Sequence, residues 1–315
     1  MKYSDPYVSI IIPAYNYGHA LAEAIDSCLE QTFEKCEVIV VNDGSTDCTD
    51  QVARKYEKIN RINYISQKNQ GVACARNNGA RIARGDWLLF LDADDTLDKN
   101  AVSHLVSCAN NPSIGVIFGK TLQCTEGESR LSVRYNKEIE GDPPHPAKKN
   151  FLKSLITTPG AAIVRKDIFQ QVRGFKPGLH PAEDRHFWLK CGTITPFEAC
   201  DQNIVLKKKS EKSASSDINR MIYKGLQVQL DYISWCQERN INTSFISYTQ
   251  QEIVELSIKK AIINKKWLAF KAVLLHARFC NIYPLAQPVL WKFTPILRIL
   301  PPFTAVKIVF KILRS

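Results

Sequence analysis

The 315-residue chain has no GxGxxG after its first strand-like run and no GxxxxGK[ST] anywhere. It therefore lacks the glycine-rich phosphate cradles of dinucleotide-binding and P-loop proteins. None of its ten cysteines falls in a CxxC pair. This excludes the usual zinc patterns, and the scattered thiols are expected to be reduced groups of a cytoplasmic protein. Met1-Lys2-Tyr3-Ser4-Asp5-Pro6 leads into a strand-like run without an export-signal pattern. No apolar run reaches the about 20 residues that a membrane-crossing helix needs. Acidic side chains are missing after Glu255, where eleven Lys and Arg follow.

What is present is an ordinary globular composition, 45% hydrophobic and 23% charged, long enough for a substantial core. The formal net charge of +11 is unevenly placed: residues 1–100 carry −4, residues 101–216 carry +6 and residues 217–315 carry +9. In the last segment Trp267, Phe270, Leu274 and Ala277 share a helical face, while Trp291, Phe293, Phe303 and Phe310 are interleaved with Lys292, Arg298, Lys307 and Lys311. Basic, aromatic, amphipathic helices of this kind lie on anionic membrane surfaces. Residues 216–315 are thus expected to be a basic helical region that associates with a membrane, placing the protein peripherally at the inner face of the cell membrane; the other reading is a helical subdomain packed on the preceding domain with a basic exterior. An acidic first hundred residues and the lack of a nucleic-acid-binding module argue against a nucleic-acid partner.

Strand-like and helix-like patterns alternate through the first 95 residues. Residues 8–12, 37–41, 61–65 and 87–91 are short β-rich or apolar runs, and residues 19–31, 48–58 and 72–83 have helical spacing. This is the pattern of βαβ units: an α/β, Rossmann-like, mostly parallel sheet flanked by helices. Residues 113–118 and 160–165 read as further strands, and residues 166–171, 183–191, 218–236, 250–263 and 266–279 as helices. Residues 120–150, with Pro143-Pro144-His145-Pro146, read as a loop, flap or hairpin.

The stretch Asp86-Trp87-Leu88-Leu89-Phe90-Leu91-Asp92-Ala93-Asp94-Asp95 joins a buried strand to three carboxylates within four positions. Carboxylates that close repel unless a cation sits among them, which points to a divalent metal. Open parallel sheets bind ligands at the carboxyl ends of their strands. Three such ends are polar here: Pro13-Ala14-Tyr15-Asn16, Asn42-Asp43-Gly44-Ser45-Thr46-Asp47 and Asp92-Ala93-Asp94. The ring of Tyr15 and the acceptor Asp43 suit a nucleobase, and metal-holding carboxylates suit its diphosphate.

Four motifs, in this order, resemble the inverting family 2 glycosyltransferases, which have the GT-A fold. They are Val8-Ser9-Ile10-Ile11-Ile12-Pro13-Ala14-Tyr15-Asn16, Asn42-Asp43-Gly44-Ser45-Thr46-Asp47, Asn69-Gln70-Gly71-Val72-Ala73-Cys74-Ala75-Arg76-Asn77 and Leu91-Asp92-Ala93-Asp94-Asp95. The likeness runs to about residue 215, through Arg173-Gly174-Phe175 and Ala182-Glu183-Asp184-Arg185-His186-Phe187-Trp188-Leu189. It implies transfer of a sugar from a nucleotide-diphosphate donor, a UDP-sugar first of all, to a hydroxyl of a glycan or lipid-linked acceptor. On the donor side it implies Pro13, Tyr15, Asn16, Asp43, Arg76, Asp92 and Ala93. Tyr15 would lie against the base, Asp43 would bond it, and Arg76 and Asn77 would sit near the nucleotide. Asp92 would face the ribose or the water shell of the metal, and Asp94 would ligate Mg²⁺ or Mn²⁺. Asp184, beside Glu183, would be the catalytic base, with Asp95 an acidic neighbour on the acceptor side.

The chain departs from the resembled family in two ways. It has neither the Gln-x-x-Arg-Trp motif nor the membrane spans of processive synthases, so one sugar per encounter is expected. Where many members carry a His after the base, Ser210 stands, and Lys207, Lys208 and Lys209 are the expected sources of positive charge, with Lys208 the one to test first. The expected organisation is a catalytic domain over residues 1–215, with a nucleotide-sugar half to residue 100 and an acceptor and base half beyond, followed by the basic helical extension. Two other readings stand beside this one. A sugar-nucleotide nucleotidyltransferase would want a glycine-rich basic loop after the first strand, and Pro13-Ala14-Tyr15-Asn16-Tyr17-Gly18 supplies none. A non-catalytic basic binding module would leave the acidic strand ends without a task.

Overall fold

The computed structural model describes residues 8–125, 132–150, 156, 158–209 and 218–244. The chain divides into two compact units, Met1–Ser213 and Ala214–Ser315. The first begins with β1 (Val8–Ala14), α1 (Leu21–Leu29), β2 (Cys36–Asn42), α2 (Thr49–Arg54), β3 (Ile62–Ser66), α3 (Val72–Ile82) and β4 (Trp87–Phe90). It continues with β5 (Asp95–Leu97), α4 (Ala101–Ser107), β6 (Val116–Thr125), β7 (Ser132–Arg134), α5 (His145–Asn150), β8 (Ala162–Arg165), α6 (Lys166–Gln171), α7 (Glu183–Ile194) and β9 (Phe197–Lys209). The second unit is described through α8 (Ile218–Gln237), which buries Leu226, Val228, Tyr232 and Cys236. No helix of the described residues is long and apolar enough to cross a membrane. The helices expected over 250–263 and 266–279, and the C-terminal aromatics expected to face a membrane, lie outside the described residues.

One sheet runs β3-β2-β1-β4-β8-β6-β9-β5, with β7 paired to β6. The first four strands are mutually parallel. Beyond β4 the sheet is mixed: β8 is antiparallel to β4 and β6, and β9 is parallel to β6 but antiparallel to β5. The parallel half is covered on both faces, which is why β1 and β2 are buried along their full length. Ile10, Ile12, Val38, Val40 and Leu89 pack in one cluster with Leu21, Ala24, Ile25 and Cys28 of α1. On the opposite face α3 lies so close that a Cβ on Gly79 would stand 2.5 Å from Cγ2 of Ile11.

The two halves of the sheet were unequally readable. Elements α1, α2, β3, α3, β4, α6, α7 and α8 fall within or beside the expected ranges. The short β5, the helix α4 and the long β9 fall outside the expected elements; α4 does space Ala101, Val102 and Leu105 as a buried helical face, and β9 runs into Lys207-Lys208-Lys209, short of the expected boundary near 215. Part of the presumed loop, from His145, is the helix α5.

At the amino ends of the strands a buried carboxylate ties the layers together. Ser9 and Glu37 face each other in register, and Glu37 accepts bonds from Ser9 Oγ (2.7 Å), Arg84 N (2.6 Å), Arg84 Nε (2.9 Å) and Asn63 Nδ2 (3.1 Å). Burial alone would raise its pKa, but these donors outweigh it and hold the carboxyl below the ordinary glutamate range. Because the folded pKa is depressed, the stabilisation is fully present above the unfolded-state value and is lost as pH falls through the folded one. Glu37→Gln, which turns charge-assisted bonds into neutral ones, is expected to cost about 1–2 kcal/mol in urea unfolding at pH 7. The gap between variant and wild type should close as the pH falls below the ordinary glutamate range.

Candidate active site

The carboxyl ends of β1, β2 and β4 meet because these strands are parallel neighbours. Their loops are stitched to one another. Asp43 N donates to Ala14 O (2.8 Å), Asn16 N donates to Ser45 Oγ (3.0 Å), and Asn16 Oδ1 accepts from Thr46 N (2.8 Å). Asn16 reaches this position with a left-handed backbone, φ 59°, a conformation asparagine tolerates better than most residues. The ring of Tyr15 stands 46% exposed above this floor, which leaves it open to stack on a ligand.

Asp43 has a task within the protein itself. It is buried, and it accepts bonds from Gln67 Nε2 (2.7 Å), Gln70 N (2.9 Å) and Gly71 N (2.8 Å). It thereby holds the loop that starts α3 against the end of β2. Pro13 and Ala93, both expected on the donor side, are buried in the framework. Any contact from them would come through their backbone.

The centre of the site is Arg76 on α3. Its guanidinium is buried and makes two charge-assisted bonds, Nη2 to Asp92 Oδ1 (2.7 Å) and Nη1 to Glu183 Oε1 (2.8 Å). It also sits over the ring of Phe175 at 5.1 Å. The next residue, Asn77, donates to Phe175 O (2.8 Å) and accepts from Phe175 N (2.9 Å), so its amide is a clamp on the chain and not a group free for nucleotide. From the other side Lys190 Nζ donates to Val172 O (2.7 Å) and Gly174 O (2.8 Å), locking α7 to the same segment. The rings of Phe90, Phe169, Phe175 and Phe187 fill the space beneath.

Glu183 and Asp184 are adjacent in the first turn of α7, where the helix dipole favours negative charge, yet their environments pull them apart. Burial opposes ionisation of Glu183, but His180 and Arg76 overcome it and hold the carboxyl down at about 2. Burial and the Glu183 charge push half-buried Asp184 up to about 6, only partly offset by Arg76. Two neighbouring carboxyl groups with separated pKa values are the mark of one fixed anion and one proton acceptor.

At the end of β4, Asp92, Asp94 and Asp95 have three different surroundings. Asp92 is held by Arg76. Asp95 is fully buried; its Oδ2 accepts from Thr158 Oγ1 (3.1 Å), and burial pushes its carboxyl well above the ordinary range. Asp94 is half-buried, and desolvation together with the Asp92 charge raises its pKa as well. It is a carboxylate short of positive charge. Among the described residues no group of three or more His, Cys, Asp or Glu forms a metal cage. This donor set suits Mg²⁺ or Mn²⁺ held by one or two carboxylates, with phosphate oxygens and water completing the shell.

The lysine facing this cluster is Lys207, not Lys208. Lys207 is the register partner of Asp95 across β5 and β9, and its Nζ lies 3.6 Å from Asp95 Oδ2 and 3.9 Å from Asp92 Oδ2. Side chains alternate along a strand, so Lys208 points away and its Nζ donates to Glu23 Oε1 at 2.6 Å. Sequence reasoning did not separate Lys207 from Lys208 and Lys209 because it missed the strand that sets the alternation. It also missed Tyr17, whose phenol is raised to about 12 by burial, then by Asp94 and Asp92, and which stacks on His19 with centroids 5.8 Å apart.

Residues 9–173 match the sequence model of glycosyl transferase family 2. The chain belongs to that family. An uncharacterised glycosyltransferase of Rickettsia prowazekii is 33% identical over 209 residues, 65% of this chain and 64% of that protein. The chain thus spans less than two thirds of that relative, and the match covers 35% of a Rickettsia felis one. Among solved structures, S. aureus TarS 1–349 in complex with UDP-GlcNAc has a TM-score of 0.59 at 19% identity, covering 90% of both chains. The mannosyltransferase PcManGT of Pyrobaculum calidifontis, in complex with GDP-Man and Mn²⁺, has a TM-score of 0.55 at 16% identity, covering 99% of this chain and 86% of that one. These structural likenesses establish a GT-A fold.

Removing the Arg76 guanidinium leaves buried Glu183 with only His180 beside it and Asp92 with only the more distant Lys207. Arg76→Ala is expected to cost about 3–5 kcal/mol in chemical denaturation. Arg76→Lys, which keeps the charge but not the two-armed geometry, should cost less.

Proposed function

We propose that this protein is an inverting glycosyltransferase that moves one sugar from a nucleotide-diphosphate donor to an acceptor hydroxyl. The observation that carries the proposal is the geometry at the start of α7, where Glu183 is bonded to Arg76 and His180 and adjacent Asp184 has neither bond, with Arg76 linking this helix to the carboxylates at the end of β4. Family membership supports the reaction class. That TarS was solved with UDP-GlcNAc favours a UDP-sugar as the first donor to test.

In this reading Tyr15 stacks on the base, and Asp43 both shapes the pocket and offers its remaining acceptor capacity to it. Arg76 orients Asp92 toward the ribose or the water around the ion. Asp94 is the ligand for Mn²⁺ or Mg²⁺, a reading supported by the Mn²⁺ in the PcManGT complex. An ion held there would supply positive charge to offset what builds on the departing diphosphate. Asp184 takes the proton from the acceptor hydroxyl as its oxygen attacks the anomeric carbon from the face opposite the diphosphate. Arg76 and His180 keep Glu183 ionised beside it, so the proton settles on Asp184 and not on its neighbour.

The acceptor is proposed to be a glycan or lipid-linked intermediate. The basic C-terminal region is proposed to lie peripherally on an anionic membrane surface at the cytoplasmic face; this rests on its charge and aromatic pattern alone. With Mn²⁺ and a panel of nucleotide sugars, wild-type protein should hydrolyse or transfer one donor. Asp94→Ala and Asp184→Asn should each lower kcat by about 10²–10⁴-fold. Since the base must be ionised, kcat/KM should fall roughly tenfold per unit as pH drops below about 6. Wild-type rates in both variants would refute the site assignment.

A further inference from the structure

Arg76 and Lys207 are cations set among these carboxylates, and they are held differently. Arg76 is buried and commits its guanidinium to two bonds at 2.7 and 2.8 Å. Lys207 keeps 29% of its side chain exposed, and its nearest carboxylate oxygens lie at 3.6 and 3.9 Å, beyond hydrogen-bond reach. Its ammonium is attracted to the cluster, yet none of its three donors is committed to a protein acceptor there. Its neighbour Lys208 contrasts with it, being bonded to Glu23 on the other face of the strand.

The charges explain why a loose cation belongs here. Asp92, Asp94, Asp95, Glu183 and Asp184 all lie within electrostatic range of one another or of these two cations. Arg76 is shared between Asp92 and Glu183. Lys207 stands between Asp92 and Asp95 and also interacts with Asp94 and Asp184. A mobile ammonium on a four-carbon stem can serve carboxylates in one state and a phosphate in another, because it binds as a point charge without a fixed fork.

We propose that Lys207 is the resident counter-ion of the carboxylate cluster, opposing entry of a free divalent cation and turning its donors to the diphosphate when nucleotide arrives. The proposal rests on the nucleotide-sugar reading above and adds an order to it: ion and diphosphate enter together. While Lys207 neutralises Asp92 and Asp95, a divalent ion meets a weakened field and a nearby like charge. Once diphosphate is present it supplies new negative charge and new oxygen ligands. Lys207 then becomes an attractive partner, and the field at Asp94 is restored to the ion. Lys207 is in this sense a positioning residue for ion and donor, and Asp95 is its anchor on the opposite strand.

The test uses the full chain, with Mn²⁺ alone and then UDP or GDP titrated in its presence. Free Mn²⁺ is followed by electron paramagnetic resonance and nucleotide binding by calorimetry. Wild-type protein should bind Mn²⁺ at least about tenfold more tightly with nucleotide than without. Lys207→Met should bind Mn²⁺ alone about tenfold more tightly than wild type and bind nucleotide about tenfold less tightly, while Lys207→Arg follows wild type in the metal-alone measurement. A purely structural lysine would not produce shifts of opposite sign. Lys207→Met binding Mn²⁺ no more tightly than wild type overturns the counter-ion role even if nucleotide binding is intact. Should that variant fail to fold, Lys207→Gln is measured in the same way, and a wild type whose Mn²⁺ affinity ignores nucleotide overturns the proposal by itself. Failure of both nucleotides to bind wild type would instead defeat the donor reading on which it rests.

Discussion

A buried guanidinium between two carboxylates organises the first unit. Arg76 lies on the helix that packs across β1 and β2, Asp92 at the end of β4, and Glu183 at the start of α7. Desolvating a positive charge of that size is unfavourable unless its partners are well placed, so the three elements must meet within narrow limits. The clamp of Asn77 on Phe175 and the bonds from Lys190 to Val172 and Gly174 serve that requirement from either side. Each is a polar contact in an apolar setting, where a misplaced partner would leave a buried donor unsatisfied.

The same ion bridge separates the properties of neighbouring residues. Glu183 is pulled toward Arg76 and His180 and stays an anion, while Asp184 remains without an equal partner and holds its proton more readily. A similar division holds at the end of β4: Asp92 is fixed by Arg76, Asp95 is anchored by Thr158 and faced by Lys207, and Asp94 is left short of charge. Carboxylates that look interchangeable in the sequence thus acquire three roles from what stands beside them. Rigid placement by Arg76 and loose compensation by Lys207 are complementary ways of keeping so many negative charges in one cleft.

Much of this was legible in the chain, and the boundary of legibility has physical reasons. The parallel half of the sheet announces itself because strands buried on both faces must be continuously apolar, as in Ile10-Ile11-Ile12 and Val38-Ile39-Val40-Val41. The acidic strand end at Asp92-Ala93-Asp94-Asp95 was visible as chemistry that local structure alone does not demand, whereas the pair Glu183-Asp184, which a first helical turn favours anyway, stood out only through the family resemblance. The mixed half was less readable, since β5 is three residues long and β9 is half polar. Its register decides which lysine faces the cleft, and an error of one position exchanges Lys207 for Lys208. Asp43 and Asn77 were legible as important polar residues, but that their side chains hold backbone in place follows from the loop geometry around Gly71 and Phe175.

The central claim is that His180 and Arg76 hold Glu183 as an anion, while burial and that anion leave adjacent Asp184 the better proton acceptor. Carbon-13 NMR titration of the side-chain carboxyls of Glu183 and Asp184, in wild type and in His180→Gln, measures this directly. The account predicts that Glu183 stays ionised down to about 2 and that Asp184 titrates near 6 in the wild type, with the two values drawing together in the variant. Both groups titrating in the ordinary carboxylate range in the wild type, or a split unaffected by the substitution, would contradict it.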